Sequence, residues 1–507
     1  MNKKKIIAAM AGFAFALALG QPLRAQTDIF KSLGSDDVLK MAFEHNPSLH
    51  ATLLDEEQAA AAVRAEEGLY PFMLQLEGGF THSSSPTLGD GGDVNHRSSD
   101  TTVLGAQVSK TLPIGTQTSL SVEGTHQASS GPSMLDTGGG QGAGYGMNAR
   151  LAVTQPILRG AGTTVVEAGL RQALKSEELT RYRTQRAASE LVSEILNTYW
   201  ELWYAERALE IEIKARDLAR TQLEEVEQRV EVGDSAPVDA LPFETRLATL
   251  EESIISAKTT RDSLSVRLAG LIGFRSGKMR MSPDTGSEPY FSAASLNAEE
   301  ETLTALTKSP EIREQIASIA LAEEREKTAG ESMRQRLDLI TWVEANTLGN
   351  GEVPPVFEQY AQGEAYSAHV GLLYELPLDS TRLEAQRASA RLDVDIANQQ
   401  LLASRDQVRV NVMTVIDRIT STRVRMELAE RTFDIARRQA QAERERYELG
   451  AAIFVQVREA EEAVREAELR AVRARVDLAQ AELELDHLTG KLIERYSAML
   501  RPEPVVN

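Results

Sequence analysis

Apolar residues recur at steps of three and four through two long stretches of the chain. In the later stretch this seam occupies residues 408–447 and 457–492, with charged residues between its members. A sustained heptad pattern predicts long helices packed as a coiled coil. No proline interrupts residues 163–231 or 380–449. Each run could therefore form a helix on the order of 100 Å long, at about 1.5 Å per residue.

The earlier stretch carries two apolar stripes, one residue out of step with each other. Leu191, Ile195, Thr198, Leu202, Ala205 and Leu209 form the first stripe, and Val192, Leu196, Tyr199 and Trp203 form the second. A two-stranded rod needs only one stripe, whereas two adjacent stripes suit a helix with neighbours on both sides. The pattern therefore predicts a wall of helices.

A glycine interrupts each long stretch, and the two interruptions resemble each other. The segment EQRVEVGDSAPVDALPFET contains Gly233, and ERERYELGAAIFVQVREAE contains Gly450. A further glycine follows forty residues later in each case, at Gly273 and Gly490. Glycine adopts the left-handed conformation that ends a helix, which costs other residues roughly 1 kcal/mol or more. We therefore predict two helical hairpins, with tips at Gly233 and Gly450, and two internal repeats.

Four other segments alternate between apolar and polar residues, which predicts β-strands. They lie at about 72–82, 145–156, 337–347 and 365–377, and each pair of strands directly precedes one of the long helices. Half-buried strands of a soluble sheet show the same alternation. A length of about ten residues, together with the export signal described below, favours strands that span a membrane.

A further hairpin is predicted at about 101–127, between the strands of the first pair. Leu120 and Val122 alternate there with Ser119, Ser121 and Glu123. The pattern is compatible with two positions for this hairpin, either within a barrel or outside it.

The first 25 residues have the pattern of a secretory signal peptide. Three lysines at positions 3–5 precede an apolar run at 6–19, and Ala25 offers a cleavage point. The alternative is a retained signal anchor. Removal of residues 1–25 takes away those lysines and Arg24, and so changes the net charge from −20 to −24. An acidic chain argues against nucleic acid or anionic lipid as a partner.

The chain contains no cysteine, which excludes both disulfide bonds and a lipid-modified cysteine after the signal. Four to six short strands cannot close a transmembrane barrel, because about eight is the smallest number known. Open strand edges in lipid cost several kcal/mol per unpaired group. We therefore expect a mixed α and β membrane protein whose β-barrel is completed by oligomerisation and continues into a long α-helical coiled-coil barrel.

Several short motifs occur in a fixed and duplicated order. They are Asn46-Pro47, VTQPILRGAG at the strand-to-helix junction, ILNTYWELWYAERALEI, TLTALTKSPEI with Ser309-Pro310, and the two glycine turns. In this order the chain resembles the TolC-like outer membrane efflux proteins over nearly all of its mature length.

The resemblance implies a homotrimer that forms one duct across the outer membrane and most of the periplasm. A periplasmic adaptor protein and an inner-membrane transporter are its implied partners, and outer-membrane lipid surrounds the barrel. The expected function is the exit duct of a tripartite efflux or type I secretion system. The alternative is an exported structural or adhesive coiled coil without a pore, which has no need of the alternating strands. No enzymatic activity, cofactor, metal site or nucleic-acid partner is expected.

These predictions divide the chain into five parts. They are the signal peptide at 1–25, a first repeat at 26–273 with its hairpin at 160–273, an equatorial linker at 274–300, a second repeat at 301–490 with its hairpin at 380–490, and a C-terminal tail at 491–507.

The hairpin tips are the candidate functional sites. An apolar turn on an acidic cylinder indicates a docking surface, and the predicted adaptor contacts are Val232, Gly233, Ala236, Leu449, Gly450 and Ala451. The carboxylates predicted to line a pore aperture are Glu231, Asp234, Asp239 and Glu448. Rings of carboxylates favour cations, although the same acids could simply begin helices. Arg229 and Arg446 are candidate gating residues, or members of exposed ion pairs worth little.

Overall fold

The computed structural model describes residues 33–88, 92–130, 142–274, 281–284, 288–289, 291, 296–350 and 365–500. The predicted signal peptide lies outside these residues, as do parts of the 274–300 linker and of the 491–507 tail. The chain combines long helices with an antiparallel sheet. By its internal contacts it divides into two compact units, residues 1–42 with 201–288 and residues 43–200 with 289–507.

The elements alternate between helical and extended stretches. The helices are α1 (Ser35–His45), α2 (Pro47–Glu67), α3 (Thr163–Val166), α4 (Ala168–Glu231), α5 (Leu241–Ile272), α6 (Ala298–Lys308), α7 (Pro310–Ser332), α8 (Thr381–Glu448), α9 (Phe454–Leu488) and α10 (Lys491–Leu500). The strands are β1 (Met73–Leu88), β2 (Val94–Thr111), β3 (Gln117–Ser130), β4 (Gly142–Pro156), β5 (Arg336–Asn350) and β6 (Tyr366–Glu375). No helix in the described part of the chain is both long enough and apolar enough to cross a membrane.

The unit formed by residues 1–42 and 201–288 contains the first glycine turn. Its buried residues include Leu202, Trp203, Ala205 and Leu209 from α4, and Phe243, Leu250, Leu268 and Ile272 from α5. Arg261 donates to Glu206 at 3.2 Å, and Arg246 donates to Gln222 at 2.9 Å. These bonds connect α5 with α4, so the chain reverses on itself after the turn.

In the other unit, α8 and α9 form the second hairpin. The prediction that residues 408–447 contribute an apolar seam is confirmed at its most apolar part, where Val408, Val412, Val415 and Ile419 are buried. They cluster with Leu478, Ala481 and Leu485 of α9 and with Ala305 and Ile312 of α6 and α7. Alanine at many positions of α9 permits close approach of the two helices. The stripes of α4 are likewise buried from Val192 to Trp203, with Leu191 partly exposed.

The six strands form one antiparallel sheet in the order β1-β2-β3-β4-β5-β6. The hairpin predicted at 101–127 therefore lies within this sheet, since β2 and β3 stand between β1 and β4. Its turn is fixed against the junction that follows β4. Gly162 donates its backbone N–H to Ile114 at 3.0 Å, and Thr116 donates its hydroxyl to Gln155.

Gly115, in that turn, has φ of +89°. A Cβ atom at this position would collide with the backbone oxygen of Gly160. Both the left-handed conformation and the close approach therefore require glycine.

His487 of α9 lies partly buried beside α4, with its Nδ1 2.7 Å from the Ser189 hydroxyl. Burial lowers the pKa of His487, while the nearby carboxylates Glu190 and Glu311 partly oppose this shift. The folded chain therefore favours the neutral imidazole. Below about pH 6.5, the unfolded chain binds a proton that the folded chain does not, so stability decreases as the pH falls through that value.

We predict that acidification from pH 8 to pH 5 weakens the packing around His487, and that His487→Gln removes this dependence. Amide hydrogen exchange in peptides covering 480–490, corrected for the intrinsic pH effect, measures the local opening. His50→Gln, which removes an exposed imidazole, should retain the wild-type dependence. An unchanged profile for His487→Gln would contradict the prediction.

Candidate functional site: an amphipathic sheet and two helical turns

Residues that are paired across neighbouring strands place their side chains on the same face of a sheet. A line of paired residues connects all six strands: Leu74, Val108, Leu120, Leu151, Val343 and Ala368. The adjacent line consists of Leu76, Ala106, Val122, Ala149, Ala345 and Tyr366. Every member of both lines is apolar or aromatic, so one face is apolar across the whole sheet.

This apolar face is exposed in the single chain. Its exposed members include Leu74, Leu76, Phe80, Leu104, Leu120, Leu151, Val343, Tyr366, Val370 and Leu372. An exposed apolar surface that extends over six strands is far from typical for a soluble protein. Leu74, Leu76 and Phe80 lie on this common face, as the alternation of apolar and polar residues at 72–82 predicts.

Aromatic residues lie toward both ends of the apolar rows. Phe72 and Tyr374 lie near the end from which the helices continue, and Phe80, Tyr145 and Tyr366 lie nearer the other end. The ammonium group of Lys110 lies 4.2 Å from the centre of the Phe72 ring. Aromatic girdles and basic residues at the rims of an apolar band are typical of strands in a membrane.

The opposite face of the sheet is polar. Glu77, Glu123 and Glu344 project from it, and Arg150 lies 3.3 Å from Glu344 across β4 and β5. The Arg150 guanidinium also lies 4.2 Å from the centre of the Trp342 ring, and the Trp342 and His369 rings stack at 5.4 Å. This cluster connects β4, β5 and β6 on the polar face. The sequence alone did not identify it, because its members are distant along the chain and meet only through the register.

At the first helical turn, Gly233 has φ of +82°. Asp234 N donates to Arg229 O at 2.8 Å, and Gly233 N donates to Val230 O at 3.1 Å. These two bonds are those of a Schellman ending, which satisfies the last carbonyl groups of α4. Val232 is 78% exposed.

After this turn, Pro237–Ala240 forms a short 3₁₀ segment that leads into α5. The Asp239 carboxylate accepts a hydrogen bond from Ala236 N at 3.0 Å. Asp239 therefore has the helix-starting arrangement that was the alternative to a pore carboxylate. Glu231, Asp234 and Ala236 are exposed, so the carboxylates of Glu231 and Asp234 face solvent.

The second turn repeats this local geometry. Gly450 has φ of +72°, Ala451 N donates to Arg446 O at 2.8 Å, and Gly450 N donates to Tyr447 O at 2.9 Å. Leu449 is 84% exposed, and Glu448 and Ala451 are also exposed. The left-handed conformation expected for Gly233 and Gly450 is confirmed.

The two predicted gating residues, Arg229 and Arg446, both lie in the last turn of a long helix. Arg446 pairs with Glu443, one turn earlier in α8, at 3.0 Å, so it takes part in a local ion pair, as the alternative interpretation predicts. Arg229 is exposed in the last turn of α4. A stronger connection at the second tip is Arg444, which lies 2.7 Å from the largely buried carboxylate of Glu461 in α9. Glu461 occupies the same position after Gly450 as Glu244 does after Gly233, and this repetition is the sequence signal for the pair.

A second apolar stripe of α8 is exposed in the single chain. Its members are Leu392, Ile396, Val410, Met413, Val424, Leu428 and Ile435, each about half exposed. They recur at helical spacing on a different side from the buried seam. Among the described residues, no group of three or more histidine, aspartate or glutamate side chains could hold a metal ion.

Comparison with known proteins finds a family match over part of the chain and a shared fold over most of it. Residues 303–491 match the model of the family described as outer membrane efflux protein, whereas no curated protein matches the chain significantly. Solved structures share its fold. The outer membrane protein VceC of Vibrio cholerae aligns with a TM-score of 0.62 at 16% identity, over 90% of this chain and 96% of VceC.

Two outer membrane channels give similar results. CmeC of Campylobacter jejuni aligns with a TM-score of 0.62 at 14% identity, over 95% of each chain. MtrE of Neisseria gonorrhoeae, in its open state, aligns with a TM-score of 0.62 at 15% identity, over 92% of this chain and 90% of MtrE. The resemblance to TolC-like outer membrane efflux proteins is thereby confirmed.

We predict that Gly450→Val destabilises the second turn, whereas Gly450→Asn is tolerated. No atom lies within 4 Å of a Cβ built on Gly450, so the cost comes from the backbone conformation. That cost is about 1–2 kcal/mol for a β-branched residue and less for asparagine. Amide exchange at the end of α8 and the start of α9 should be faster in the valine variant alone. Equal protection in both variants would contradict this account of the turn.

Proposed function

We propose that this chain, which carries an outer membrane efflux protein domain, forms the outer-membrane exit duct of an export system. The duct receives substrate from a periplasmic adaptor and an inner-membrane transporter, and it releases the substrate outside the cell. The single observation that carries the proposal is the apolar face that remains in register across six strands. A rod-like exported coiled coil has no use for such a surface.

The apolar face is proposed to contact lipid and the polar face to line the duct. Burial of apolar area stabilises insertion by about 25 cal/mol per Å², and the aromatic residues near both ends of the rows suit the two membrane interfaces. With Glu77, Glu123 and Glu344 on the polar face, the lining of the barrel is expected to favour cations.

The duct is proposed to be a homotrimer. In the described sheet, β1 and β6 have one strand neighbour each, and open edges are not tolerated in lipid. The exposed stripe of α8 is a second surface that a neighbouring copy would cover. The number three follows from the resemblance to the TolC-like proteins.

The helical hairpins are proposed to extend into the periplasm, with both glycine turns in contact with the adaptor. Exposed apolar residues at each turn support this, namely Val232 at the first and Leu449 at the second. The two Gly450 variants described above also test this proposal. Gly450→Val should lower export and crosslinking to the adaptor, while Gly450→Asn should retain both.

The carboxylates at the turns are proposed to form rings at the closed aperture. Glu231, Asp234 and Glu448 are the better candidates, because the Asp239 carboxylate is occupied by the Ala236 backbone N–H. Arg229 and Arg446 lie close enough along the chain to modulate these rings, and they remain the proposed gating residues.

We predict that Leu372→Arg sharply reduces assembly into the outer membrane, whereas Leu373→Arg does not. These neighbouring leucines of β6 are both exposed, but they lie on opposite faces of the sheet because side chains alternate along a strand. An arginine facing lipid costs about 2–4 kcal/mol at the middle of the membrane and less toward its interfaces, and Leu372 lies on the lipid-facing side two residues inward from Tyr374. The measurement is the amount of folded oligomer in outer-membrane fractions on unheated gels.

Equal losses for the two leucine variants would contradict the assignment of the faces. A loss for Leu373→Arg alone would reverse it, and lipid would then contact the polar face.

We predict that the purified channel prefers cations in planar bilayers, and that Asp234→Asn combined with Glu448→Gln weakens this preference. Micromolar multivalent cations should block the wild type more strongly than the double variant. Reversal potentials across a salt gradient measure the selectivity. Glu445→Gln, which removes an exposed carboxylate one turn before Gly450, is the matched control.

Anion preference in the wild type would remove the carboxylate rings from the proposal. If only Glu77→Gln and Glu123→Gln lower the cation preference, selectivity arises in the barrel and the turns have no part in it.

A further inference from the structure

The two edge strands of the sheet run in opposite directions. All five strand pairs are antiparallel, so a sheet of six strands begins and ends on strands of opposite direction. A second copy can therefore place its β1 beside β6 of the first and continue the antiparallel order. Such a head-to-tail contact closes into a ring when the rotation permits.

We infer that β1 of each copy pairs with β6 of the next with Leu76 opposite Leu372, so that three copies of six strands close an eighteen-stranded barrel. This inference rests on the proposed trimeric channel and adds the identity of the contacting edges, their register and the size of the barrel.

The first constraint on the register is the apolar face. Even-numbered residues of β1, such as Leu74 and Leu76, lie on the same face as even-numbered residues of β6, such as Val370 and Leu372. A slip of one residue would turn every side chain of one strand to the other face. Pairing across the new contact must therefore match even positions with even positions.

The second constraint is the tilt of the strands. The line of paired residues that starts at Leu76 ends at Tyr366 in β6. With Leu76 opposite Leu372, Tyr366 faces His82 of the next copy. After crossing one copy, the line of paired residues that started at Leu76 therefore meets β1 of the next copy at His82. This is an offset of six residues along the strand per copy. Over three copies this offset gives a tilt of about 35°, at about 3.3 Å per residue and 4.8 Å between strands, which lies within the range of natural barrels.

The neighbouring registers fit less well. With Leu76 opposite Val370 the offset falls to four residues, and the tilt falls to about 25°, below that range. With Leu76 opposite Tyr374 the tilt is about 43°, but Met73 and Leu74 extend past Glu375, where β6 ends. An offset of similar size in the opposite direction along β1 would place β1 opposite residues that precede β6. The two strands would then not overlap.

Side-chain sizes support the same register. Gly78 lies opposite Val370 on the apolar face, and Phe80 lies opposite Ala368. On the polar face, Gly79 lies opposite His369. At these three pairs a large side chain faces a small one, which suits close packing. Met73 also lies opposite Glu375 in this register. The start of β1 and the end of β6 are therefore at the same height, at the side from which the helices continue.

The size of the barrel has a functional consequence. Barrels of sixteen to eighteen strands leave an aqueous channel, whereas those of eight are filled by side chains. The membrane part of this duct would therefore be open, and any narrow point would lie in the helical part.

Disulfide crosslinking tests the register directly, because the chain contains no cysteine. Directly paired residues have Cα atoms about 4.5–5.5 Å apart, which suits a disulfide, whereas diagonal neighbours are about 7–8 Å apart. The full chain carrying Leu76→Cys and Leu372→Cys should form covalent dimers and trimers on oxidation in outer membranes. Leu76→Cys with Val370→Cys, with Tyr374→Cys or with Leu373→Cys should give at least several-fold less of these products.

Stronger crosslinking of Leu76→Cys with Val370→Cys or Tyr374→Cys would overturn the register. A disulfide formed only within one chain would overturn the pairing of β1 with β6 of another copy. Native mass spectrometry can show a trimer, and planar bilayers can show that it conducts ions. If both do so but no β1–β6 pair crosslinks, the inference fails and the proposed function stands. A monomeric, non-conducting protein would instead defeat the proposed function itself.

Discussion

The common register of the six strands is the constraint on which the sheet depends. Side chains alternate between faces, so a slip of one residue between any two strands would mix the apolar and polar faces. The pairing of Leu76, Ala106, Val122, Ala149, Ala345 and Tyr366 preserves the separation across 290 residues of chain. The pairing of β4 with β5 is the most demanding, because a long helical hairpin separates these strands in sequence. The contact of Arg150 with Glu344 and Trp342 lies at that pairing.

Much of the fold was predictable because two different periods dominate the chain. Heptad spacing identified the helices, and the buried seam of Val408, Val412, Val415 and Ile419 occupies the positions that it indicated. Alternation identified the strands and the composition of each face. Glycine identified the turns, since Gly233 and Gly450 both adopt positive φ. All these signals are local, and they need no knowledge of which segments meet in space.

The remaining features depend on partners that are distant in sequence. A local pattern could not place β2 and β3 within the sheet, because either position satisfies their alternation. The stack of Trp342 on His369 needs the register of β5 and β6. Asp239 illustrates the same difficulty at the candidate site. A carboxylate after a turn suits both a pore ring and a helix start, and only the hydrogen bond from Ala236 distinguishes them.

The sheet and the helices share one property, which is that both expose apolar surface in a single copy of the chain. A single copy leaves the apolar face, the edges of β1 and β6 and the second stripe of α8 without the contacts that such surfaces require. Leu392 and Val424 of α8 and Leu372 of β6 are all about half exposed or more. In the proposed oligomer, burial of this apolar surface would contribute to the stability of the native state, which would then depend on protein concentration. Side chains that are half exposed in one copy, such as Leu428 in α8, would then be constrained by contacts between copies, as buried residues are constrained by the fold.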